Sequence, residues 1–217
     1  MCHGAGCLVL LGAISFGVRA DAGAWPREEG KSFLSFSLES YAGTNYLSLF
    51  YEYGLTPNLT LGLDAGRDPA AGTSSAIVFL RYPVLFGGAN VFALELGLGE
   101  TVQSGETVAT IRPGFYWGRG IDFAGLSGWT GVEMTYAQGT NGKALGKIQA
   151  TIGANLRNNR LAILDLQYEN PSTGESFVAI APSHVFELGQ NTRFQIGLRH
   201  TIDTGETAAK IGLWIDF

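Results

Sequence analysis

From residue 31 to the end of the chain, apolar and polar residues alternate. Leu34, Phe36 and Leu38 fall on one face of a segment whose other face carries Ser35, Ser37 and Glu39. Leu47, Leu49, Tyr51 and Tyr53 oppose Ser48, Phe50 and Glu52, and Leu59, Leu61, Leu63 and Ala65 oppose Thr60, Gly62, Asp64 and Gly66. A period of two is the mark of a strand, whose successive side chains point to opposite faces. The same period predicts strands at about 74–83, 90–98, 107–116, 128–137, 144–154, 160–169, 175–184, 192–201 and 206–217, about twelve in all. Thr56-Pro57-Asn58, Ser104-Gly105, Asn141-Gly142, Asn158-Asn159, Ser172-Thr173-Gly174 and Thr204-Gly205 supply turn chemistry between them. Pro113 and Pro182 fall inside predicted strands and are expected at bulges or strand ends.

Alternation alone also fits a soluble β-sandwich. Charged residues make up only 15% of the 217, too few to clothe the outer face of a sandwich. One face of the strands is nearly all Leu, Ile, Val, Ala, Phe and Tyr, and the other carries the charges. Aromatic residues gather at strand ends on that apolar face: Tyr51, Tyr53, Tyr82 and Phe115 near one set of turns, Tyr136 and Tyr168 near the other. These features predict an all-β fold, a closed antiparallel up-and-down transmembrane barrel. In hydrocarbon every backbone polar group must be paired, so such a sheet has to close.

Residues 1–22 carry an apolar stretch from Cys7 to Val18, followed by Val18-Arg19-Ala20 and Ala20-Asp21-Ala22. Small residues at these spacings are signal-peptide cleavage patterns, although residues 2–6 lack Lys and Arg. The expected division is a signal peptide over 1–22 and a barrel over 23–217. Both cysteines, Cys2 and Cys7, lie in the first part. The barrel therefore has no thiol for a disulfide, a metal or a nucleophile. No cofactor or metal is expected, and a net charge of −5 speaks against nucleic acid.

Residues 50–66, Phe-Tyr-Glu-Tyr-Gly-Leu-Thr-Pro-Asn-Leu-Thr-Leu-Gly-Leu-Asp-Ala-Gly, resemble a hairpin of Gram-negative outer-membrane β-barrel proteins of an uncharacterised, short-looped family. Arg81-Tyr82-Pro83 with the run Phe92 to Gly99 resembles a later hairpin, and Ala22-Gly23-Ala24-Trp25-Pro26 a mature start. Ile211, Leu213, Ile215 and Phe217 resemble the C-terminal assembly signal of such barrels. The resemblance implies an outer-membrane location amid lipid and lipopolysaccharide, and assembly by the barrel-insertion machinery. It carries over no functional residue.

By parity the lumen would hold Glu39, Glu52, Asp64, Glu95, Glu133, Asp165 and Glu169, with Arg81, Arg112, Lys147, Arg193, Arg199 and Lys210. The near balance of sign argues against strong ion selectivity. Turn positions predict Glu133 opposite Lys147, Glu95 opposite Arg112, and Arg199 opposite Lys210, the last relieved by Asp165, Glu169 or Glu39. The longest connection, about 117–127, is a candidate inward plug or partner-binding loop. Two readings of the lumen stand open: charges that pair and occlude it, or a polar path for a small solute. The expected function is a passive channel or transport-related barrel; the alternative is a non-conducting accessory barrel with a periplasmic partner. An outer-membrane hydrolase ranks third. Only His184 and His200 lie beyond residue 22, and neither has a serine two positions away on its own face.

Overall fold

The computed structural model describes residues 23–217, apart from 42, 86, 87, 104 and 124. The expected signal peptide, with Cys2 and Cys7, lies outside the described residues. Twelve strands follow one another: β1 (Ser32–Tyr41), β2 (Thr44–Thr56), β3 (Leu59–Asp68), β4 (Thr73–Leu85), β5 (Asn90–Gln103), β6 (Glu106–Phe123), β7 (Leu126–Gly139), β8 (Ala144–Leu156), β9 (Arg160–Pro171), β10 (Phe177–Gly189), β11 (Thr192–Thr201) and β12 (Thr207–Asp216). Each pairs antiparallel with its sequence neighbours, and β1 pairs with β12 to close the barrel. Closure leaves no sheet edge to be satisfied in lipid.

The seam is sealed at its end by backbone bonds between Ser32 and Phe217. Ser32 N–H donates to the Phe217 carbonyl at 2.6 Å, and Phe217 N–H donates back at 3.0 Å. Along the same seam Leu34 faces Ile215, Phe36 faces Leu213 and Leu38 faces Ile211. Ile211, Leu213, Ile215 and Phe217 therefore share one outer face, as their alternation predicts. Both chain ends of the barrel meet at this end, called here the terminal end.

The outer face is a continuous apolar surface. Val78, Leu80, Tyr82 and Val84 of β4 and Leu94, Leu96 and Leu98 of β5 are all exposed, Leu98 at 60%. Soluble monomers rarely leave a large contiguous apolar surface to water. Tyr82 lies towards the terminal end and Tyr136 and Tyr168 towards the other, all facing outward. Aromatic residues at both rims mark the two interfaces of a membrane.

The prolines differ from expectation. Pro113 pairs normally with Leu96 on β5, but towards β7 the ladder passes from Ile111–Gln138 to Gly114–Thr135 without a change of register. Pro182 faces Leu164 on β9, and the β10–β11 ladder likewise passes from Ile180–His200 to Ser183–Gly197. Each missing N–H opens a gap in one ladder only. Neither proline makes a bulge or ends a strand.

The predicted long connection at 117–127 is also corrected. Those residues extend β6 and β7, whose pairing runs from Trp117–Val132 to Phe123–Leu126. Only two residues separate the two strands, too few for an inward plug. At the end opposite the termini no connection exceeds five residues, the longest being 172–176 and 202–206.

Candidate functional site

The site is the lumen, and its floor comes from a segment with no strand pattern. Residues 23–31 turn back from β1 into the barrel at the terminal end. Ala24 is 1% exposed and packs with Val91, Ala93 and Tyr116. Trp25 lies against that cluster and against a second one made of Trp129, Leu161, Ile163 and Val185. The segment thus packs against the wall from β5 to β10.

Glycines make room for it. A Cβ on Gly118 would strike the Trp25 ring, and one on Gly54 would strike the Glu28 carbonyl. Gly30 N–H donates to the Gly54 carbonyl at 2.8 Å, and Gly54 N–H donates to the Lys31 carbonyl at 3.0 Å. Arg27 N–H donates to the Thr60 hydroxyl at 3.0 Å. Backbone and side chain together hold the segment to β2 and β3.

A chain of alternating charges runs over the wall formed by β2 to β6. Arg27 pairs with Glu52 at 2.7 Å, Glu52 with Arg81, Arg81 with Glu95 at 2.9 Å, Glu95 with Arg112 at 3.0 Å, and Arg112 with Asp64. Arg81 and Glu95 are only 3% and 4% exposed. The Arg81 guanidinium lies 4.8 Å from the Phe79 ring centre and 4.3 Å from that of Tyr116, within cation–π range. Tyr116 donates its hydroxyl hydrogen to Glu95 at 2.7 Å. Every buried charge here faces an opposite one, which is the condition for burying charge at all.

The other predicted lumen residues lie apart from this network. Glu39 approaches Lys210 at 3.6 Å and Arg199 at 4.0 Å, and Arg199 also donates to Gln167 and Tyr41. Lys147 pairs with Glu169 at 3.2 Å, and Arg193 with Asp216 at 3.3 Å. Asp165 accepts from the Thr151 hydroxyl at 2.6 Å. Glu133 accepts from the Gly23 backbone nitrogen at 3.0 Å.

Three predicted pairings are corrected. Glu133 faces Gln149, while Lys147 faces Thr135. Glu95 faces Gly114, and Arg112 faces Gly97, though the long Arg112 side chain still reaches Glu95 diagonally. Lys210 faces Gly197 and Arg199 faces Ala208. The carboxylate between those two cations is Glu39, brought in by closure; Asp165 and Glu169 bond elsewhere. In each hairpin the true turn centre lies one residue from the predicted one, which moves every partner by two and leaves every face unchanged.

Two cavities in the lumen are lined by described residues. One, of about 330 Å³, lies at the terminal end beside the N-terminal segment; its wall includes Ser35, Gln149, Thr151, Asp165, Gln195 and Trp214. The other, of about 250 Å³, lies towards the far end between Asp64, Ser75, Thr101, Arg112, Thr135 and Lys147. Phe50, Arg81, Glu133 and Gln149 border both. They form a waist halfway along the barrel. The buried charge chain crowds one side, and the other side, over β8 to β12, mixes separate ion pairs such as Lys147–Glu169 and Arg193–Asp216 with the hydroxyls and amides of Gln149, Thr151, Ser183 and Gln195.

Sequence reasoning selected charges by parity and so passed over Trp25, Arg27 and Tyr116. Tyr116 shares the parity of Arg112 and was legible on that ground. The N-terminal segment has no period to read; its signal is a Trp-Pro-Arg run standing outside any alternation.

No family model matches the chain, and no curated protein matches it in sequence. Solved structures do resemble it. The KdgM porin is 11% identical with a TM-score of 0.62, over 85% of this chain and 99% of that one. The NanC porin is 10% identical with a TM-score of 0.62, over 85% and 98%. The COG4313 outer membrane channel from Pseudomonas putida F1 is 10% identical with a TM-score of 0.55, over 92% and 100%. The fold is that of bacterial outer-membrane barrels and porins. Among the described residues no group of three or more His, Cys, Asp and Glu side chains is arranged to hold a metal ion. His200 bonds to Thr207 at 2.9 Å on the outer face.

Proposed function

We propose that this chain is a passive channel of the bacterial outer membrane for small polar solutes, narrowed by its own N-terminal segment. The observation that carries the reading is the pair of polar cavities in series, sharing a waist at Phe50, Arg81, Glu133 and Gln149. Ion pairs neutralise the Arg-rich wall, and across from it further ion pairs stand among Ser, Thr and Gln side chains that offer hydrogen bonds. Such a path favours small neutral or zwitterionic molecules over ions of either sign. Porins of the same fold support it; one of them, KdgM, has been seen in complex with disordered oligogalacturonate.

A hydrolase reading gains no support: His200 engages Thr207, and Glu52 and Glu95 are committed to arginines. The accessory-barrel alternative loses its motivation, because residues 117–123 and 126–127 are paired strand.

Liposome swelling tests the proposal. Protein refolded into vesicles should admit small neutral polyols and amino acids, with uptake falling steeply as solute size rises. Vesicles that contain correctly folded barrel and swell no faster than empty ones would overturn it.

A further inference from the structure

Glu133 stands out in the lumen because the charges around it are already matched. The wall network holds three cations, Arg27, Arg81 and Arg112, and three carboxylates, Glu52, Asp64 and Glu95, joined in one alternating chain. Glu133 lies beside that chain as a fourth carboxylate. It forms no ion pair with a described residue, and its hydrogen-bond donor is the backbone nitrogen of Gly23 at 3.0 Å. A neutral amide is a weak partner for a carboxylate in so enclosed a place; a charged donor makes a shorter and stronger bond.

Gly23 is itself tightly held. A Cβ on it would lie 2.9 Å from the Tyr116 ring and 3.0 Å from the Glu133 carboxylate. The nitrogen that meets Glu133 also follows directly on Ala20-Asp21-Ala22, one of the two patterns a leader peptidase cuts.

We propose that the leader is removed between Ala22 and Gly23, and that the new α-ammonium of Gly23 pairs with Glu133 in the middle of the lumen. The step is hydrolysis by a leader peptidase. Water breaks the Ala22–Gly23 amide, the carboxylate leaves on Ala22, and the amine stays on Gly23 and takes up a proton at neutral pH. The fourth carboxylate thereby gains a fourth cation, and processing fastens the tip of the N-terminal segment inside the barrel. Cutting after Ala20 would instead leave Gly23 a neutral amide and place a further carboxylate, Asp21, two residues from it.

Intact-mass analysis of the protein isolated from outer membranes, with N-terminal sequencing, reads the cut directly. The expected chain begins at Gly23; one that begins at Asp21, or at any other residue, overturns the proposal. Reaction of the α-amine with an amine-selective reagent at neutral pH reads the pairing in the same wild-type sample. The folded barrel should label at least tenfold more slowly at Gly23 than the unfolded chain. In Glu133→Gln that protection should shrink while heat-modifiability persists. Equal labelling of folded and unfolded wild-type protein would overturn the ion pair whether or not the variant folds.

Discussion

Arg27 reaches across the terminal end of the barrel to Glu52, 2.7 Å away, and so ties a segment without secondary structure to the most buried charges of the wall. Glu52 also binds Arg81. The N-terminal segment is therefore the first link of the lumen's charge chain.

Weakening that link should loosen the segment before it harms the barrel. Glu52→Gln keeps the shape of the side chain but loses its charge, and each charge-assisted bond of this kind contributes roughly 1.5–3 kcal/mol. Trypsin should cut after Arg27 about tenfold faster in the variant than in the wild type, with the strands still resistant. Unchanged cleavage would mean that the Arg27–Glu52 pair does not hold the segment.

Arg81 has a different role, because it faces both Glu52 and Glu95 and lies between Phe79 and Tyr116. Arg81→Met leaves two buried carboxylates without that guanidinium, and losing one partner of a buried pair costs about 3–5 kcal/mol. Arg81→Lys should recover only part of this, since an ammonium cannot fork to two carboxylates or stack on rings. Urea unfolding in lipid vesicles should rank the wild type first, the Lys variant second and the Met variant last.

The two faces of β3 should respond to different insults. Leu61 has the outer parity and faces Leu80; Gly62 has the inner parity and faces Phe79, whose ring fills the space a Cβ would take. Leu61→Arg should destabilise the barrel by roughly 2–4 kcal/mol through the lipid, whereas Leu61→Phe should be tolerated. Gly62→Ala should cost stability through contact with the Phe79 ring and be relieved by Phe79→Leu in a double-mutant cycle. Additive effects at positions 62 and 79 would count against the packing described.

Which face each residue takes was legible in the chain, because a strand's period of two survives any error in the turn. Glu133, Lys147, Arg199 and Lys210 could all be placed inside for that reason. Their partners were not legible: the β7–β8 pairing centres on residue 141, one residue later than expected, so that Glu133 meets Gln149. Glu39 reached Lys210 and Arg199 only through closure of β1 on β12, a contact between the ends of the chain. The N-terminal floor was hidden for a further reason. Trp25 and Arg27 sit in irregular backbone, where no repeat reports which way a side chain points, and residues 117–123 and 126–127 of the apparent candidate were strand whose glycines read as a loop.

Single-channel current in planar bilayers, compared between the wild type and a chain lacking residues 23–28 but keeping its leader, tests the central claim most directly. The wild type should give small, brief openings with little preference for cations or anions, and the shortened chain a steady current several-fold larger. Currents of equal size from the two folded proteins would contradict a lumen governed by its own N-terminal segment.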